Sequence, residues 1–286
     1  MYQFPIGVIL ESYRLSRSEA IKRAAAMGVK GIQMYATEGE NSPENLSTAA
    51  RRELRKEVQE NGLIFSALCG DLGRGFGNRE LNPSLIEKSK RIVELAKDLG
   101  TDIVTTHIGV VPADVSHDRY KIMQEACFEL SRFADSMEAH FAIETGPEKS
   151  EVLKAFLDSL GSKGVGVNLD PANLVMVTGD DPVTAVHNLK DYIVHTHAKD
   201  GIRLRESNPE YIYNVVHPIP EEFCGIKYFE EVPLGTGSVD FVRYLKALEE
   251  IGYREFLTIE REVGKNPEAD IKTAYDFLTK IIAEGR

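Results

Sequence analysis

Cysteine is scarce in this chain, and that scarcity removes two classes of protein at once. Cys69, Cys127 and Cys224 are the only three in 286 residues. They are too few and too far apart for a zinc cage or a disulfide framework, and a reducing cytoplasm fits such usage. Long apolar runs are missing too: none approaches the roughly 20 residues that a membrane-spanning helix needs. The start, Met1-Tyr-Gln-Phe-Pro5, has neither a basic segment nor a long apolar one, so a cytoplasmic protein is expected rather than a secreted one. Positive charge is in deficit. The formal net charge is −11, with Lys and Arg scattered rather than striped, a balance that repels nucleic acid and anionic membrane. A glycine-rich dinucleotide fingerprint is absent, which counts against an open nucleotide-binding sheet.

What is present is a regular alternation of two periods. At 42% hydrophobic residues the chain is ordinary for a globular protein and long enough for a sizeable core. Short β-type runs occur near 4–10, 31–36, 63–69, 102–107, 140–144, 165–170, 192–198 and 255–260. Stretches of helical spacing lie between them, at 18–28, 47–61, 83–99, 118–138, 150–160, 182–190, 239–251 and 270–283. Gly28, Gly62, Gly100 and Gly252 each follow an apolar helical face, as C-terminal glycines do. Eight strands alternating with eight helices predict an α/β fold, a (β/α)8 TIM barrel, as a single domain over 1–286. Two connections exceed the usual short loops, at 70–80 and from 200 to about 238. Both follow strands, so both belong to the C-terminal face, where barrel active sites are built.

The sixth strand runs Val165-Gly-Val-Asn-Leu-Asp170 into Pro171-Ala-Asn-Leu174. Val165, Val167 and Leu169 alternate with Gly166, Asn168 and Asp170, so one face is apolar and the other small or polar. Asp170 comes last on the inner phase, where a carboxylate is either a loop cap or a working group. Its neighbours bear on that choice. Strand five, His140-Phe-Ala-Ile-Glu144, ends in Glu144, and strand eight, Phe256-Leu-Thr-Ile-Glu260, ends in Glu260. Strand seven carries His195, His197 and Lys199 on one phase. Three carboxylates and a histidine therefore aim at one mouth. Crowding them costs on the order of several kcal/mol in repulsion and desolvation unless something positive sits among them. One divalent metal ion is the simplest remedy. Oxygen ligands with one imidazole suit Mn²⁺, Mg²⁺, Co²⁺ or Zn²⁺ without choosing among them. Neutralisation by Lys199, Arg203 or Arg261 is the bland alternative.

The motifs Ala142-Ile-Glu-Thr-Gly146, Val167-Asn-Leu-Asp-Pro-Ala-Asn173, His195-Thr-His-Ala-Lys-Asp200, Pro233-Leu-Gly-Thr-Gly237 and Leu257-Thr-Ile-Glu-Arg-Glu262 together resemble the xylose-isomerase-like barrels. Within them the sugar phosphate isomerase/epimerase group is the most similar, and Ser66-Ala-Leu-Cys-Gly-Asp-Leu-Gly73 is also a phrase of that group. The resemblance covers nearly the whole chain. It implies that Glu144, Asp170, His197 and Glu260 hold one metal ion, with His195 as an alternative ligand or a buried support. The substrate it implies is a sugar or sugar phosphate. Abstraction of a carbon-bound proton next to a carbonyl gives an enediolate, and Glu144 and Glu260 are the natural proton-exchanging pair. Epimerisation, isomerisation and inosose-type dehydration share that first step. A homo-oligomer is plausible in this family.

Around this centre, His107, Asn173, Lys199, Arg203 and Glu148 are the expected substrate contacts. Three positions depart from the family pattern. Asn173 stands where several epimerase relatives have a histidine, Gln33 where many have glutamate, and Thr236 where an acidic residue is common. The same barrel also serves endonucleases that cut at abasic sites with three zinc ions. Seven histidines in all and an acidic balance oppose that reading. A barrel that binds a sugar without turnover is the non-enzymatic alternative.

Overall fold

The computed structural model describes residues 2–285. Eight parallel strands close into a barrel: β1 (Ile6–Ile9), β2 (Gly31–Tyr35), β3 (Ile64–Cys69), β4 (Ile103–Thr106), β5 (His140–Glu144), β6 (Val165–Leu169), β7 (Ile193–Ala198) and β10 (Leu257–Ile259). Their order around the ring is β1-β10-β7-β6-β5-β4-β3-β2, so each strand lies beside its neighbour in the chain and β10 closes onto β1. This is a single-domain (β/α)8 TIM barrel, as the alternation predicts.

The helices pack outside: α1 (Arg17–Met27), α2 (Thr48–Glu60), α3 (Asn82–Leu99), α4 (Asp118–Ser136), α5 (Ser150–Leu160), α7 (Pro182–Leu189), α9 (Phe241–Glu250) and α10 (Pro267–Glu284). Each starts or stops where local chemistry directs. Asp181, Asp240 and Asn266 cap α7, α9 and α10 by accepting a backbone N–H of the first turn. The alternation along β6 sends Val165, Val167 and Leu169 outward, into the fully buried layer between sheet and helices. That layer holds Phe141, Phe156, Ile92, Leu95 and Tyr244 and carries most of the hydrophobic stabilisation.

One part of the predicted architecture differs. The segment from 200 to 238 is not an irregular loop throughout. β8 (Asp200–Arg203) and β9 (Phe229–Val232) form an antiparallel ribbon outside the barrel, with Asp200 opposite Val232 and Arg203 opposite Phe229. A short helix, α8 (Pro209–Ile212), lies within its tip. The ribbon is tied down at its root. Asp200, almost fully buried, accepts the backbone N–H groups of Gly201, Gly235, Gly237 and Val239 at 2.9–3.1 Å. Four donors on one carboxylate bind the departure and the return of the excursion to a single point.

Candidate active site

Inside the barrel, apolar filling gives way to polar groups toward the C-terminal mouth. Parallel register sets Glu144 beside Asn168, Asn168 beside His195, and Thr258 beside His197. Glu144, Asp170, His197 and Glu260 then converge, with one potential ligand atom from each lying within 4.8 Å of the others. All four are at least nine-tenths buried. His197 Nδ1 is 3.1 Å from Glu260 Oε2, 3.5 Å from Glu144 Oε1 and 3.6 Å from Asp170 Oδ2.

Asp170 is both a cap and a member of this cluster, one oxygen for each. Its Oδ1 accepts the N–H of Asn173 at 2.9 Å and caps the short helix α6 (Pro171–Asn173). Its backbone is clamped by Thr145, which accepts the Asp170 N–H and donates its hydroxyl to the Asp170 carbonyl. Oδ2 is left buried without a hydrogen-bond partner, whereas Glu260 Oε2, also buried, faces His197 Nδ1 and Lys199 Nζ, each at 3.1 Å. An orphaned carboxylate oxygen is costly in a buried site, and a cation beside it removes the cost. The donor set therefore fits a divalent ion, three carboxylates with one imidazole.

The imidazole is held in place from behind. His197 donates its Nε2–H to Gln33 Oε1 at 3.1 Å, which turns Nδ1 toward the carboxylates. Gln33 is oriented in turn by donating Nε2–H to Thr105 Oγ1 at 3.2 Å. His195 lies deeper. Its Nε2 is 3.0 Å from both Gln33 Oε1 and Thr258 Oγ1, and it does not enter the cluster. Asn168 and Asn173 donate to the two oxygens of Glu144, each at 3.1 Å.

Charge is shared unevenly. Burial alone raises Glu144 and Glu260. Histidines 107 and 197 outweigh it at Glu144, and Lys199 with His197 outweighs it at Glu260, so both carboxyls lie below the usual range. Burial dominates at Asp170, pushed up to about 6 against Lys199 and His197. For His197, burial is overcome by Glu260 and Glu144, which raise the ring well above the ordinary imidazole range. His195 is driven neutral by burial and by His197.

Above the cluster opens a cavity of about 500 Å³, within the ordinary range for small-molecule sites. His107 lines it, with Nε2 3.6 Å from Glu144 Oε1 and its ring 5.3 Å from that of Tyr213. Asn173 and Lys199 line it too, and the Lys199 Nζ reaches Glu262 at 2.5 Å and Glu260 at 3.1 Å. Cys69 stands in the wall with its thiol pushed up by burial, hence neutral. Gly146 passes under this wall with φ 138°, where a Cβ would come within 2.5 Å of the Asn173 Cβ and 2.9 Å of the Tyr213 hydroxyl.

Two expected contacts lie elsewhere. Arg203 leaves the barrel with the β8 ribbon, where the alternation that aims Lys199 inward no longer applies, and its guanidinium packs against Gly179. Glu148 is buried but turned aside, accepting the Val111 N–H at 3.0 Å. Sequence reasoning passed over the orienting role of Gln33, the Asn168 contact with Glu144, and Tyr213. The inward phase of Gln33 and Asn168 was the available signal.

Comparison with known proteins agrees with this fold. A model described as xylose isomerase-like TIM barrel matches residues 21–281. A Haemophilus influenzae protein provisionally named as an L-ribulose-5-phosphate 3-epimerase is 25% identical over 270 residues, covering 87% of this chain and 85% of that protein. An inosose dehydratase from Lacticaseibacillus casei is 25% identical over 123 residues, 43% of this chain and 39% of that one. Among solved structures, a xylose isomerase domain protein from Planctomyces limnophilus superposes with a TM-score of 0.79 at 24% identity. It covers 99% of this chain and 98% of its own. No helix among the described residues is long and apolar enough to cross a membrane.

Proposed function

This chain belongs to the xylose isomerase-like TIM barrel family, and from that premise we propose that it is a divalent-metal-dependent isomerase or epimerase of a sugar or sugar phosphate. One observation carries the reading: Glu144, Asp170, His197 and Glu260 present ligand atoms within 4.8 Å of one another, and Asp170 Oδ2 is buried there with no hydrogen-bond partner. Similarity to an epimerase over most of both chains supports the substrate class.

Glu144, Asp170, His197 and Glu260 would hold the ion, which when bound polarises a substrate carbonyl and favours the enediolate. The protein supplies the proton chemistry. Glu144 and Glu260 come from strands separated by β6 and β7 in the barrel wall, so they approach a sugar from different sides. One takes the proton from the carbon next to the carbonyl, and the electron pair moves to the carbonyl oxygen. The other, carrying a proton taken up from solvent when the substrate binds, returns it, and the two carboxylates recover their starting states by exchange with solvent. Delivery to the opposite face of the same carbon gives the epimer, and delivery to the adjacent carbon gives the isomer. Asn168 and Asn173 hold the Glu144 oxygens in position, and His107 and Lys199 flank the cavity.

The experiment is metal content per chain after purification without added metal or chelator, repeated on His197→Ala, followed by proton exchange of ketoses in heavy water. Close to one ion, lost in the variant, together with exchange at a carbon beside the carbonyl, is the expected result. No ion and none taken up on titration would end the proposal. Local similarity to an inosose dehydratase favours one second reading, in which the same proton abstraction is followed by loss of water. Product analysis by NMR separates a dehydrated product from an epimer.

A further inference from the structure

Resting on that reading of the site, we infer that the cavity takes an uncharged sugar and rejects its phosphate ester. The reason is the charge of the wall. Asp71, Glu144, Glu230, Glu231, Glu260 and Glu262 line the cavity, against the ammonium groups of Lys199 and Lys227. Both lysines are already engaged. Lys199 Nζ lies 2.5 Å from Glu262 Oε2 and 3.1 Å from Glu260 Oε2, and Lys227 Nζ lies 2.9 Å from Glu230 Oε2. Arg261, behind Glu231, spans Glu231 at 2.6 Å and Asp270 at 2.8 Å. The Arg203 guanidinium is packed against Gly179, outside the cavity. A divalent ion at the four ligands does not reverse the balance, since the carboxylates of Glu144, Asp170 and Glu260 outnumber its two charges.

Phosphate is recognised by unengaged Arg or Lys groups and by converging backbone N–H groups. Here a phosphate dianion would face carboxylates and would have to break existing ion pairs, a repulsive arrangement that excludes a ligand as effectively as a clash does. An uncharged sugar meets the same wall on favourable terms. Carboxylates only accept hydrogen bonds, and sugar hydroxyls donate them. Met176, Val177, Phe229 and Val263 offer apolar surface for the C–H face of a sugar ring or chain.

The test is calorimetric titration of the metal-loaded protein with ribulose and fructose, each with and without its terminal phosphate, at low and at raised salt. The free ketose is expected to bind at least about tenfold more tightly, equivalent to ~1.4 kcal/mol. That gap is expected to narrow as salt screens the wall. Glu230→Lys, which reverses one wall charge and frees Lys227, is expected to tighten the ester and so narrow the gap between ester and free ketose. Ester binding equal to or tighter than the free ketose, or no binding of either free ketose, overturns the inference. Because binding is read without turnover, a free ketose that binds selectively but exchanges no proton would refute the epimerase reading and uphold this one.

Discussion

Gln33 and His197 stand 164 positions apart in the chain and 3.1 Å apart in the barrel, the amide oxygen accepting the imidazole Nε2–H. That bond decides which ring nitrogen faces the carboxylates. Gln33→Ala is therefore expected to lower metal affinity by roughly 10–100-fold, as loss of a supporting bond to a ligating histidine does. Gln33→Glu, which keeps an acceptor at the same place, should retain most of it. Competition with a fluorescent chelator measures both. Unchanged affinity in Gln33→Ala would show that the ring is oriented by other contacts.

Replacing one of the two carboxylates proposed to exchange protons should leave the fold and remove turnover. Glu260→Gln is expected to reduce kcat by about 10²–10⁴-fold, the usual worth of a positioned acid–base group. Circular dichroism and the thermal midpoint control for folding. An active variant would remove Glu260 from the mechanism.

Glu148 predicts a pH dependence of stability rather than of activity. Burial pushes its carboxyl up to about 8 from the ordinary 4.5, opposed by the hydrogen bond from Val111. A folded pKa above the unfolded one means the folded protein binds the proton more tightly. The stability this gives is complete below the unfolded value and is lost as pH rises through about 8. Glu148→Gln keeps a carbonyl acceptor for Val111 and cannot ionise. Its urea midpoint is expected to fall less than the wild type's between about pH 5 and about pH 9. Parallel declines in the two proteins would contradict a buried, proton-holding Glu148.

Asp200 gathers four backbone donors, so Asp200→Ala should loosen the β8–β9 excursion before it affects the barrel. A buried group of N–H donors stripped of a charged acceptor costs about 2–3 kcal/mol. Limited proteolysis is expected to cut between 204 and 228 faster in the variant, with the metal site retained. Equal cleavage rates would show the ribbon to be anchored elsewhere.

The sequence discloses those parts of the site that a short period determines. Glu144, Asp170 and Glu260 are the last inward positions of strands whose alternation is plain, and the structure brings these three together. His195 and His197 share a phase, so only the stagger between β7 and its neighbours, a property of the closed barrel, separates the cluster member from the buried support. The partnership of Gln33 with His197 has no local trace either. It exists because β2 and β7, separated by β1 and β10 in the wall, both send these side chains into the barrel interior. Asp200-Gly-Ile-Arg203 and Phe229-Glu-Glu-Val232 are too short and too weakly alternating to read as strands, and each needs the other, 26 positions away at Arg203 and Phe229, to become one. Arg203 lies outside the cavity lining for the same reason. Its direction follows from a ribbon that the periodicity does not reveal.

The excursion rooted at Asp200 has an evolutionary consequence. Ile212, Tyr213, Lys227, Phe229, Glu230 and Glu231, a large share of the wall above the cluster, all come from this one continuous stretch. The atoms that would perform the chemistry belong to strand ends beneath it. Exchanges in the stretch are expected to alter the wall while the barrel ladder, to which it does not belong, stays intact. What the cavity admits and the chemistry proposed beneath it are thus written in separate lengths of the gene.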